Sequence, residues 1–226
     1  MGRAFAKLNG RYSGILTALI ISNAVSIGLL LIKMVANSST DFGFLVWNLF
    51  LAWLALFFAM ILKTYLNDHS WLSWQAMLLT VVWLGFLPNS FYLATDLIHL
   101  PLSSQATVLY DVVMLLSFSF NGFVSGLASV FVVHKQLVKR LKARTAYVLI
   151  GLTLFASSFA IYLGRYLRWN TWDVIVNPAG ILFDVSDRII NPGAHPQAFV
   201  TTATFFALIG SVYLVAWQFV RAIKSD

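Results

Sequence analysis

Cysteine and glutamate are both absent from this chain, and charge of either sign is scarce. Without cysteine there are no disulfides, no thiolate metal sites and no cysteine nucleophile, and the redox compartment stays open. Without glutamate, the acidic complement is eight aspartates. Glutamate ordinarily decorates solvated helix faces, so its loss fits a chain with little such surface. Charged residues are 10% of the 226 positions, against about a quarter in soluble domains. What is present instead is apolar: 60% hydrophobic residues and a mean hydropathy of +0.82. A fold that faces water on all sides is excluded.

Crossing a bilayer takes about 20 mainly apolar residues, and six stretches meet that length: Ile15–Met34, Phe44–Leu62, Ala76–Ala94, Val108–Val133, Ala146–Gly164 and Phe199–Val220. The first follows a basic tail but is longer than a signal core and lacks a small-residue cleavage site, so it reads as a retained helix. The expected fold is all-α: a polytopic integral membrane protein of six transmembrane helices in one domain, residues 1–226. Basic residues set the orientation, because cytoplasmic loops are enriched in lysine and arginine. Arg3, Lys7, Arg11, Lys63, Lys135, Lys139, Arg140, Lys142, Arg144, Arg221 and Lys224 fall on one side, leaving only Lys33, Arg165, Arg168 and Arg188 on the other. Both termini are expected in the cytoplasm. The run HKQLVKRLKAR between helices four and five reads as an orientation signal and a contact for anionic lipid, not for nucleic acid.

No repeat or low-complexity linker divides the chain. The longest connection, Arg165 to Ala198, contains AGILFDVSDRII, with Ile181, Leu182, Val185 and Ile189 on one helical face and Asp184, Asp187 and Arg188 on another. A short helix lying in the membrane surface suits that pattern.

Polar residues concentrate at the extracytoplasmic ends of the spans. In FLPNSFYLATDLIHLP, Pro88 is expected to kink helix three. Asn89, Tyr92, Asp96 and His99 follow at steps of three, four and three, which puts them on one helical face. Helix four opens with Asp111, helix two carries Asn48 near its start, and helix five runs into GRYLRWNTWD. If helix five continues past Gly164, Arg165, Arg168 and Trp172 share a face, with Trp169 and Asp173 to one side and Asn170 at the same level of the membrane. Ionisable residues inside a membrane are costly and face a bundle interior or a water-filled cavity, so a polar pocket opening outward is expected. Trp169 and Trp172, with Trp71 and Trp74, read as interface-belt residues. Gly122 and Gly126 read as close helix packing. His69 and His134 lie on the opposite side, and His195 reads as a loop residue.

The elements FLPNSFYLATDLIHL, LYDVVMLLSFSFNG and IYLGRYLRWNTWD followed by NP resemble a bacterial family of integral membrane proteins known as domain of unknown function 1361. The resemblance runs from about Trp47 to Pro178. It implies a multi-pass protein of the bacterial inner membrane and supplies no activity.

Three functions remain open from the residues. In the first, the protein is an enzyme, a hydrolase or transferase acting on an envelope lipid or lipid-linked phosphate. Asp96, His99 and Asp111 would then bind Mg²⁺, Mn²⁺ or Zn²⁺ and activate water, or handle protons directly. Arg165 and Arg168 would hold the anionic group, with Asn89, Asn170, Asp173, Tyr92 and Asn48 lining the substrate. In the second, the pocket belongs to a transporter or sensor that binds an anion or a lipid headgroup. In the third, the charges are salt bridges of a structural subunit.

Overall fold

A computed structural model of the chain describes the backbone of residues 2–38, 40–102 and 108–222, and side chains within them from residue 14 onward except 15, 101 and 102. The side chains of Arg3, Lys7, Arg11 and Lys224, named above for orientation, lie outside the described residues, as does that of Pro101. Among the described residues the fold is all helical. Eight α-helices follow one another: α1 Gly2–Asn37, α2 Phe44–Tyr65, α3 Trp74–Tyr92, α4 Val108–Val138, α5 Ala143–Tyr166, α6 Asp173–Val176, α7 Pro178–Ile190 and α8 Pro196–Ala222. Among the described residues, six helices are long and apolar enough to span a membrane, namely α1 to α5 and α8.

The connections follow from local chemistry. Ser73 starts α3 by accepting the amide of Ala76 at 3.4 Å on its hydroxyl. Asn177 does the same for α7, accepting from Gly180 at 3.0 Å, with Pro178 at the first helical position. Helix α5 stops where Arg168 takes a left-handed conformation with φ of 60°. There the amide of Trp169 reaches back to the carbonyl of Leu163 at 3.2 Å, the closure usually given to glycine.

Helices α2, α3 and α4 form the centre, with α1 set along α4 and α8 along α5. Gly122 and Gly126 make the tightest approach. A Cβ on Gly122 would stand 2.5 Å from the carbonyl oxygen of Ser90, and one on Gly126 would stand 2.7 Å from the Ser90 Cβ. The G-x-x-x-G pair is therefore the α3–α4 contact. Buried aromatic and aliphatic groups such as Trp83, Leu87, Phe91, Ile150 and Leu154 fill one part of the core, and Leu30, Leu45, Met114 and Phe118 another. Ile20, Ile32, Val200, Val215 and Phe219 point outward on α1 and α8. Such belts face hydrocarbon in a spanning bundle, where burial inside the protein has no advantage over burial in lipid.

One expectation about helix three changes. The α-helix ends at Tyr92, and Leu93–Leu102 continue as a tighter 3₁₀ segment. Residues three apart eclipse one another in that geometry, so Asp96 and His99 still share a face, for a different reason. Pro88 sits inside α3 without ending it. Its missing N–H and its ring displace the bonding of the preceding turn, and there the carbonyl of Gly85 accepts the Thr171 hydroxyl at 3.2 Å. A backbone group in the spanning region thus finds its partner in a neighbouring segment.

Candidate functional site

The ends of α2, α3 and α5, together with the segment that follows α5, enclose a cavity of about 460 Å³. Its wall includes Asn48, Asn89, Tyr92, Asp96, His99, Arg165 and Asn170 from the residues predicted above. Rings supply much of the rest: Phe44, Trp47, Trp169 and Trp172. The two tryptophans after α5, expected as interface residues, are cavity walls.

Asp96 is the organising charge. It is 1% exposed. One of its oxygens accepts from Arg165 Nη2 at 2.6 Å, and the other accepts from Asn48 Nδ2 at 3.0 Å. Arg165 is fixed in turn: its Nε donates to the Thr95 hydroxyl at 2.9 Å, and its guanidinium lies 4.4 Å from the centre of the Tyr92 ring. A cation over an aromatic face is attracted by the ring quadrupole. The ion pair is thus hydrogen-bonded on both sides, the condition under which a buried pair offsets its desolvation. His99 borders the same cavity with its ring 5.1 Å from that of Phe44. Asn89 donates to the Thr171 hydroxyl at 3.0 Å and so ties α3 to the segment after α5.

Three predicted members lie elsewhere. Asp111, placed with Asp96 and His99 on sequence grounds, turns to α1 and forms an ion pair with Lys33, whose ammonium lies 5.2 Å from the centre of the Phe42 ring. It does not line the cavity. The reason is helical phase: Asp111 sits at the level of Asp96 but on the face of α4 that meets α1. Among the described residues its second oxygen has no hydrogen-bond partner. Arg168 does not share a face with Arg165, because α5 ends at Tyr166 and Arg168 occupies the left-handed turn, exposed. Asp173 binds the backbone amide of Asn170 at 2.7 Å, a turn contact outside the cavity wall. Asp111 therefore does not join Asp96 and His99 at the cavity, and among the described residues no three histidine or acidic side chains form a group that would hold a metal ion.

Several contributors escaped the sequence. Thr95 and Thr171 carry no signal as single hydroxyls. Lys33 did carry one, being a lone lysine in the last turns of an apolar span, where a charge demands a partner.

Helix α7 closes the far side. The Trp169 indole donates to Asp184 at 2.6 Å, and a Cβ on Gly180 would stand 2.8 Å from the same indole. Ile181 reaches the cavity while Leu182, Phe183, Ile189 and Ile190 point away from the protein. Asp187 receives Asn191 Nδ2 at 2.8 Å and has His195 Nε2 at 2.7 Å. Those two hydrogen bonds hold its carboxyl below the ordinary aspartate range.

Fold and site together define a polytopic helical membrane protein with a mixed aromatic and polar cavity at one end of its bundle. The chain belongs to the family described as "Protein of unknown function (DUF1361)", which it matches over residues 47–212. No curated protein and no solved structure matches it.

Proposed function

We propose that the protein is a receptor for an amphiphile, holding the polar head of a lipid or lipid-linked molecule in the cavity bounded by Asn48, Asp96, His99 and Arg165. The observation that carries this reading is a neutralised ion pair in the wall of a 460 Å³ cavity otherwise made of rings, amides and aliphatic groups. Small-molecule sites are of this size, mainly apolar, with a few placed polar groups. Asp96 and Arg165 cancel, and Arg168 stands outside, so the wall offers no surplus positive charge for a free anion. Three amides and one imidazole instead offer donors and acceptors to a neutral or zwitterionic head.

Recognition fits this geometry better than hydrolysis. Both oxygens of Asp96 accept hydrogen bonds, from Asn48 and Arg165, which fixes the carboxylate as part of the wall. His99 adds an imidazole to the cavity wall. The working orientation has both termini in the cytoplasm of a bacterial cell, with the cavity at the outer face of the inner membrane. The basic side chains Lys139 and Lys142, exposed between α4 and α5, and Arg144, exposed in the first turn of α5, support it and would contact anionic lipid. Helix α7 would lie in the outer surface, its exposed leucine, phenylalanine and isoleucines in the headgroup layer. The chain acts as one domain.

The test compares lipids carried by wild type and Gly85→Leu after thorough detergent exchange, by mass spectrometry. Gly85 borders the cavity, and a Cβ there meets nothing closer than the Thr171 methyl at 3.6 Å, an ordinary contact, so the backbone admits a side chain that takes up cavity space beside Thr171. The expected result is one amphiphile class enriched in wild type and lost in the variant. Identical bulk lipid in both would overturn the proposal.

A further inference from the structure

A second cavity of about 360 Å³ lies towards the other end of the bundle between α3, α4 and α5, lined almost wholly by apolar groups. Leu84 borders both this cavity and the first one. On α5, Leu149, Leu152, Thr153 and Ala156 line the second cavity, while Ala160, Leu163, Gly164 and Arg165 line the first. At about 100° per residue all of these except Arg165, at the outer end, fall within a stripe roughly 120° wide. The two cavities are therefore stations on a single seam between α3 and α5. Ala156, Ala160 and Gly164 keep that seam shallow-walled, because none of them carries a side chain long enough to fill it.

We infer that this seam holds the hydrocarbon tail of the amphiphile whose head occupies the first cavity, and that the tail is a single chain longer than one leaflet. The inference rests on the headgroup reading above and adds the ligand class to it. From Leu149 to Gly164 the helix rises about 22 Å at 1.5 Å per residue. Half of a bilayer's hydrocarbon core is only about 15 Å. A tail anchored at the Asp96–Arg165 level and lying in the whole seam passes the bilayer midplane, which the chains of an ordinary bilayer lipid do not do. One helix–helix seam also accommodates one tail, not two side by side. Single-tailed amphiphiles of that length, such as those built on a linear polyprenyl chain, are the class that fits. Ordinary lipid chains touching the seam in passing would show no dependence on chain length and none on the cavity at its end.

The variant that reads this is Ala156→Phe. Ala156 is exposed on the outer side of α5, so a larger side chain obstructs the seam without entering the core. Val148→Phe, also on an exposed position of α5 but outside the seam, serves as control. Thermal unfolding of the full-length protein in one fixed detergent is followed with a short and a long linear prenyl alcohol as probes. The long alcohol should raise the midpoint of wild type and of Val148→Phe by roughly 5 °C at saturating concentration, and should lose that effect in Ala156→Phe. The short alcohol should stabilise all three weakly and equally. If short and long alcohols act alike in every variant while Gly85→Leu still abolishes lipid retention, the tail assignment fails and the headgroup reading stands. If neither alcohol acts and Gly85→Leu changes nothing, both fail.

Discussion

Two buried ion pairs sit at the same end of the bundle, and they are built differently. In Asp96–Arg165 both carboxylate oxygens have donors, the guanidinium has a hydroxyl and a ring, and a cavity lies alongside. In Asp111–Lys33 one carboxylate oxygen meets the ammonium, the other has no partner among the described residues, and the side chains are 0% and 9% exposed. The first pair is a finished piece of cavity wall, bonded on both sides. The second is a clasp between α1 and α4. Aspartates of equal rank in the sequence thus take different roles according to which neighbour their helix face meets. Charge in a spanning segment marks a place where something must be satisfied; it does not by itself say whether a ligand or another helix satisfies it.

The comparison is broken most forcefully at the clasp. Lys33→Met leaves Asp111 buried without its counter-charge and should cost about 3–5 kcal/mol in unfolding free energy. Adding Asp111→Leu should recover most of that loss, since a buried pair is often replaceable by apolar groups. A single variant as stable as the double would mean that the pair is not the clasp described here. The cavity pair should respond less to the same treatment. Asp96→Asn should cost about 1–3 kcal/mol, because Arg165 keeps Thr95 and Tyr92 and is 17% exposed. Amphiphile retention should fall with it. A larger stability loss there than at Lys33 would reverse the ranking of the two sites.

Arg168 sharpens the comparison from outside. Arg168→Gly relieves a left-handed conformation that costs a non-glycine residue about 1 kcal/mol, so the variant should be slightly more stable, with retention of the amphiphile unchanged. Loss of retention would bring Arg168 back into the site. The smallest effect belongs to Asp187, which lies far from both pairs. Its carboxyl is held down by Asn191 and His195, so its contribution is complete above the unfolded aspartate value of about 3.9. That contribution disappears as pH falls through the lower folded value. Asp187→Asn should lower stability slightly and evenly at neutral pH and flatten the acid limb of the stability–pH curve below about pH 4, so that variant and wild type converge in acid.

The spans were legible because bilayer crossing imposes length and hydropathy on every residue at once, and the six stretches read from the sequence coincide with α1 to α5 and α8. The helical pattern of AGILFDVSDRII gave α7 for the same reason. Seven predicted polar residues do line one cavity, since depth along a spanning helix can be counted from its ends. What could not be counted was rotation. The phase of α4 relative to α1 decides that Asp111 meets Lys33, and that phase is a matter of packing between helices far apart in the sequence. The stop of α5 at Tyr166 was hidden as well. Arginine is a poor occupant of a left-handed position, so nothing in GRYLRWNTWD announces the turn that sends Arg168 outward and Trp169 in.

Whether a lipid-like head rests against the Asp96–Arg165 wall can be read by photo-cross-linking in native membranes. A photoreactive residue would replace Trp47, which is half exposed and borders the cavity, or Trp74, which is exposed at the start of α3 and does not. The account predicts that position 47 captures one amphiphile class, that position 74 captures bulk lipid, and that Gly85→Leu removes the difference. Equal capture of bulk lipid at both positions would contradict it.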